Sequence, residues 1–295
     1  RSKEAPKGYI RGFDAKTGKR KWIFHTIPRP GEFGNDTWLN DSWSYTGHTG
    51  VWSQMSIDEE LGIAYLPIEI PTGDYFGGHR PGNNLFAESL VALDLETGQR
   101  KWHFQFVHHP IWDYDVPCAP ILADIEVNGR RIKAVAQPTK QGFLYVFDRV
   151  TGEPVWPIEE RPYPASNVPG EVAAKTQPYV PYPEPTIPDH MPPVSKFADI
   201  VSFGQCSRWK ARIDDQGRYT PPSVRGAVSW PATLGGVEWG GGALDPITNT
   251  YVVNSNVVPQ IYTLVPRADA DKKYGKAQRD RDGYAAQEGS AYGFK

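Results

Sequence analysis

The chain has 295 residues, 32 of them basic and 34 acidic, and a net charge of −2, so no charge excess points to nucleic acid or an anionic membrane surface. Ten Trp, 29 Gly and 28 Pro suit many short strands joined by turns and exclude a fold of long helices. Two cysteines, Cys118 and Cys206, make neither a disulfide framework nor a zinc site and read as buried free thiols, and no apolar run is long enough to span a membrane.

In chain order, the first predicted element is a hairpin, GYIRGFDAKTGKRKWIF at 8–24. Its pattern returns in SLVALDLETGQRKWHF (89–104) and FLYVFDRVTGEPVW (143–156). Each copy has an alternating strand, then Asp-x-x-Thr-Gly, then a Trp eight residues after the Asp: Asp14/Trp22, Asp94/Trp102 and Asp148/Trp156. The Asp caps a tight turn, the Gly supplies positive φ, and the returning strand delivers a Trp that can wedge between neighbouring sheets. Between the first two copies lie a loop at 27–50, rich in Gly, Asn, Asp, Ser and Thr, and a weaker hairpin at 55–68 that lacks the Trp. A second weak hairpin occupies 241–255. Residues 157–195 are Pro-rich and aperiodic, an excursion of polyproline and turn character over the surface. The charged stretch from Ala268 to Asp282 reads as helical or loose. Repeated hairpins of this kind predict an all-β propeller of four-stranded blades. Material for four or five blades is present, and 1–295 is expected to be a single propeller domain forming an incomplete ring.

The chemistry-bearing residues concentrate between His108 and Arg149. Asp113 lies between Trp112 and Tyr114 in a Pro-punctuated loop, and Lys140 follows 27 residues later, just before a strand. An aromatic setting raises a carboxylate's basicity and a fixed cation lowers it, so the two together make a tunable base. The plainer alternative is a solvated loop acid and a surface lysine. His108 and His109 either meet substrate hydroxyls or serve the loop's own structure, and Asp115 reads as a hydrogen-bonded turn acid.

The Asp-x-x-Thr-Gly-x-x-x-Trp repeats resemble the tryptophan-docking motifs of the eight-bladed quinoprotein dehydrogenases, which use pyrroloquinoline quinone (PQQ) and calcium to oxidise alcohols or sugars. WHFQFVHHPIWDYDVPCAPILADI is similar to the active-site segment of the glucose and polyol branch, and PTKQGFLYVFDRVTGEPVWPIEERP to the strand pair after it. WPATLGGVEWGGGALDP and QEGSAYGF have family counterparts as well. The resemblance implies that the chain is part of an eight-bladed ring from an exported, periplasmic protein. It puts Asp113 at the family's general base, Lys140 at the cation on the quinone oxygens and Trp52 at the aromatic floor under the cofactor. Glu238 and Trp239 fall where the family edges the cofactor with an Asn-Trp pair. Glu4 and Asp113 fall at calcium ligands. The family's ligand Asn should lie near Ile70–Thr72, where this chain reads IEIPTGD, so Thr72 or Asp74 would take its place.

The function implied is oxidation of a sugar, polyol or alcohol by hydride transfer to PQQ, with a quinone or cytochrome as electron acceptor. Calcium would draw oxygens from Glu4, Asp113 and Thr72, while Lys140 stabilises charge on the acceptor and Asp113 takes the hydroxyl proton. Two rivals stand beside it: a cofactor-free propeller acting as scaffold or sensor, and a carbohydrate-binding propeller.

Overall fold

A computed structural model describes residues 2–274 and 284–295. The first repeat folds as β1 (Tyr9–Phe13) and β2 (Arg20–His25). Then come β3 (Ser56–Asp58), β4 (Ile63–Pro67), β5 (Ser89–Asp94) and β6 (Arg100–Gln105), one complete four-stranded antiparallel sheet in sequential order. The weak hairpin is thus the first half of a four-stranded sheet whose second half is the second repeat. β7 (Ile121–Val127), β8 (Arg130–Pro138) and β9 (Leu144–Asp148) form a three-stranded sheet. Its expected fourth strand shrinks to a Phe147–Pro154 bridge and one Val155 N–H to Val146 O bond. Pro154 has no N–H to extend that ladder.

The Pro-rich excursion is not wholly irregular. It contains an antiparallel pair, β10 (Glu159–Pro162) and β11 (Thr176–Tyr179). Two six-residue helices follow, α1 (Lys196–Val201) and α2 (Gln205–Lys210). Three further antiparallel pairs close the described chain. β12 (Ala227–Ser229) pairs with β15 (Gln260–Tyr262) around the weak hairpin of β13 (Gly242–Asp245) and β14 (Thr250–Val253). β16 (Leu264–Pro266) pairs with β17 (Tyr292–Phe294) across α3 (Arg267–Tyr274). The helical start of the charged stretch is therefore real, and 275–282 lies outside the described residues.

The repeat spacing has a direct structural cause. Asp94 Oδ1 accepts from the N–H groups of Glu96 and Thr97, and Asp148 Oδ1 from those of Val150 and Thr151. The first two Trp then dock on the turn of the next repeat. Trp22 Nε1 donates to Leu95 O at 2.9 Å, and Trp102 Nε1 to Arg149 O at 3.2 Å. The rings lie on Gly98 and Gly152, where a Cβ would come within 2.5 and 2.6 Å of the indole. Trp156 finds no such turn and meets Tyr182 edge-on at 5.1 Å. Between the two large sheets, Trp102, Tyr65 and Phe147 pack with Tyr145, Phe106 and Trp112 into the main core.

Gly152→Ala is expected to lower unfolding free energy by roughly 2–5 kcal/mol, adding a left-handed backbone penalty to a clash with Trp102. Gly18→Ala has the same backbone conformation at φ 70° but nothing within 4 Å; its cost is expected to stay near 1–2 kcal/mol. Urea midpoints of the two variants separate these contributions.

Candidate functional site

Lys140 sits at the tip of the β8–β9 hairpin. Thr139 N–H donates to Phe143 O and Gly142, at φ 80°, turns the chain. The side chain is buried, and its ammonium donates to the main-chain carbonyl of Asp113 at 3.1 Å. Asp115 Oδ2 lies 3.8 Å from the same ammonium while its Oδ1 accepts from Ile70 N–H. Burial pulls the lysine down, but Asp115, Asp113 and Glu238 outweigh it and hold the group above its ordinary value, so it stays charged. The alternative of a surface lysine is thus excluded.

Asp113 is buried in the loop between β6 and β7, with φ at 57°, and its Oδ2 accepts from the Tyr75 hydroxyl at 2.9 Å. Tyr75 in turn stacks on Phe294, centroids 3.7 Å apart. Trp52 turns an exposed indole toward Lys140, whose ammonium is 6.0 Å from the ring centroid. The 233–241 loop rides on the Lys140 turn: Val237 N–H donates to Thr139 O, and Gly236 leaves no room for a Cβ beside Lys140 O. That contact brings in Glu238, half-buried, with one carboxylate oxygen lacking a hydrogen-bond partner. Burial raises its pKa above the ordinary value against the pull of Lys140. Trp239 beside it is exposed.

Other expected residues are placed differently. Thr72 is buried, its hydroxyl accepting from Gly47 N–H and donating to Lys3 O, each at 3.1 Å. That puts it one residue from Glu4, which is exposed. His108 bridges Gln105 and Glu160, and its main chain exchanges two hydrogen bonds with Gln177. His109 Nε2 faces Glu171 Oε1 at 2.7 Å and Nδ1 faces Gly82 O. Both histidines therefore tie the Pro-rich excursion to the Asp113 loop, and their ring nitrogens are occupied by protein. Cys118 is buried, where burial pushes its thiol up to about 12, and Cys206 is half-buried.

The structure adds Glu88, a fully buried acid just before β5 whose two carboxylate oxygens have no hydrogen-bond partner. Burial first, then the charges of Asp115 and Asp113, push it well above the carboxyl range against Lys140 and Arg80, so it stands as the neutral acid. A folded-state value above the unfolded one means the folded chain holds a proton that the unfolded chain releases. Stability therefore falls as pH rises above the free carboxyl's range, by about 1.4 kcal/mol per pH unit until the folded group ionises. Glu88→Gln removes that loss. Its stability gain over the unsubstituted chain is expected to grow between pH 5 and 8 in urea titrations; a constant difference would show that Glu88 ionises freely.

A flat anionic quinone fits these residues: an open indole face, a buried ammonium beside it, and a polar rim at Glu238. A metal cage fits less well. Calcium wants six to eight oxygens, the Thr72 hydroxyl is already engaged, and among the described residues no group of three or more His, Cys, Asp or Glu is placed to hold a metal.

Residues 1–295 match the PQQ family described as glucose/ethanol/alcohol dehydrogenase, β-propeller domain. The chain belongs to this family. It is 33% identical over 305 residues to the quinoprotein glucose dehydrogenase of Escherichia coli strain K12, covering 97% of this chain and 36% of that protein. It is also 33% identical to the glycerol dehydrogenase large subunit of Gluconobacter oxydans, covering 98% and 40%. The quinate/shikimate dehydrogenase (quinone) of Acinetobacter baylyi is 33% identical, covering 92% and 33%. The chain thus spans a little over a third of the length of the first two of these relatives. Among solved structures, the quinohaemoprotein alcohol dehydrogenase of Comamonas testosteroni superposes with a TM-score of 0.64 at 22% identity, covering 99% of this chain and 39% of that one. A europium-containing methanol dehydrogenase gives 0.60 at 21%, covering 97% and 44%. The fold of this PQQ-family chain is accordingly that of a β-propeller, and its two large sheets are blades.

Proposed function

We propose that this chain carries the reacting face of a PQQ-dependent dehydrogenase that oxidises a hydroxyl of a sugar, polyol or alcohol. One observation carries the reading: the buried Lys140 ammonium bonds to the Asp113 carbonyl beside the open face of Trp52. PQQ, when bound, supplies the hydride acceptor. Trp52 offers an apolar platform that holds a planar ring without consuming hydrogen bonds. Lys140 has N–H groups beyond the one given to Asp113 and stabilises negative charge where it builds. Asp113, braced by Tyr75, accepts the substrate's hydroxyl proton. Glu238 and Trp239 edge the cofactor. Calcium, at Asp113, Thr72 and Glu4, belongs to the proposal through the family resemblance alone, and no step is built on it. A quinone or cytochrome acceptor and a periplasmic location have the same basis; no helix among the described residues is long and apolar enough to cross a membrane.

The test is reconstitution with PQQ, with and without calcium, followed by dye reduction over a panel of glucose, glycerol, quinate and ethanol. Turnover that requires PQQ supports the reading. A folded chain that takes up no PQQ and reduces no dye would leave the scaffold alternative standing.

A further inference from the structure

The Pro-rich excursion plants one buried acid between the two loops that build the reacting end of the site. Glu171 and His109 are both buried, and Glu171 Oε1 meets His109 Nε2 at 2.7 Å. Glu171 Oε2 accepts from Gly77 N–H at 2.6 Å, and Oε1 also accepts from the adjoining Val172 N–H at 2.9 Å. His109 opens the loop that carries Asp113; Gly77 lies two residues beyond Tyr75, whose hydroxyl donates to Asp113. One carboxylate thus ties together the two loops that carry the Tyr75–Asp113 contact. Arg80, fully buried, adds a second tie by donating to Gly73 O on the Tyr75 side and Pro110 O on the Asp113 side. Neither loop has regular secondary structure between Pro71 and Glu88 or between Phe106 and Pro120. Their relative placement therefore rests on such side-chain ties.

We propose that Glu171 is a positioning residue, clamping the Tyr75 loop to the Asp113 loop so that the phenol stays on the carboxylate facing the substrate. The excursion then sets catalytic geometry without touching substrate. The proposal rests on Asp113 acting at the reacting hydroxyl, as argued above. Glu171→Gln keeps the shape of the side chain but loses its charge: its one oxygen still accepts from Gly77 N–H, while the His109 ring keeps only a neutral amide N–H in place of a carboxylate.

The experiment is a double-substitution cycle in the PQQ-reconstituted protein with Tyr75→Phe, Glu171→Gln and the pair. Glu171→Gln is expected to lower kcat per bound cofactor about 10–100-fold with KM little changed, the scale of a small misplacement of reacting groups. Because both substitutions break one contact, the pair should be little worse than the poorer single variant. Unchanged kcat at a lower melting temperature, or multiplicative losses in the pair, overturns the clamp. A second readout needs no turnover. In the cofactor-free chain, Glu171→Gln should speed amide exchange both at Gly77 and across 109–116; acceleration at Gly77 and Val172 alone overturns it. If the unsubstituted protein shows no PQQ-dependent turnover, the proposed function fails, and the exchange experiment still decides the clamp. Should Glu171→Gln not fold, His109→Gln reads the same cycle from the other side.

Discussion

Asp113→Asn is expected to cut kcat by roughly 10²–10⁴-fold, the range a general base supplies, while the fold and PQQ binding are kept. The choice of Asn is what makes the result readable. Asp113 has φ at 57°, a region that Asn tolerates better than other non-glycine residues. The main-chain carbonyl that receives the Lys140 ammonium is untouched by the change. The side-chain amide oxygen can still accept from Tyr75, so the brace survives while the basic oxygen pair is gone. Asp113→Ala removes the brace and strains the backbone as well, so a loss there mixes two effects. Asn turning over at the unsubstituted rate, with PQQ bound in equal amount, would remove Asp113 from the role of base. A loss confined to KM would instead make it a binding group.

How far the sequence led depends on how local each feature is. The Asp-x-x-Thr-Gly turn and its Trp lie within nine residues, and the turn bonds of Asp94 and Asp148 reproduce that pattern directly. Ring size implied a Trp wedged between neighbouring sheets; that Trp22 and Trp102 dock on the Gly turn of the following repeat is visible only in the fold. The missing fourth strand of the β7–β9 sheet was legible only in Pro154, whose lost N–H outweighs the repeat pattern. His109 could not be assigned, because its partner Glu171 lies 62 residues on in a stretch with no period. Glu88 does carry a local signal: an acid directly before SLVALD, a strand with almost no polar face. The juxtaposition of Asp113, Lys140 and Trp52 came from the family resemblance. Spacing alone favoured a solvated acid and a surface lysine, and burial at the hairpin tip is what removes the surface lysine.

Lys140→Met carries the other large effect, on rate and stability together. The ammonium lies 3.8 Å from Asp115 Oδ2, and Asp115, Asp113, Glu238 and Glu88 all raise it. Met fills most of the same volume but removes the cation paired with the Asp115 carboxylate and the donor to Asp113 O. Breaking a buried ion pair from one side costs about 3–5 kcal/mol. Lys140 pulls the Glu238 carboxyl down against the burial that raises it; with the cation gone that folded-state pKa rises further, so the folded variant takes up a proton that the unfolded chain does not hold. The stability deficit is therefore expected to be full near pH 8 and to shrink as the solution is acidified toward pH 5, seen as converging urea midpoints. In the PQQ-reconstituted protein, kcat should fall about 10²–10³-fold, the cost of losing one donor to developing negative charge. Lys140→Arg keeps the charge, but its planar fork must fit where a compact ammonium sits 3.1 Å from a carbonyl. It should hold more of the stability than Met and lose part of the rate. If Met and Arg were equally stable at pH 8, Lys140 would not be balancing those carboxylates, and its place beside the cofactor would lose its electrostatic reason.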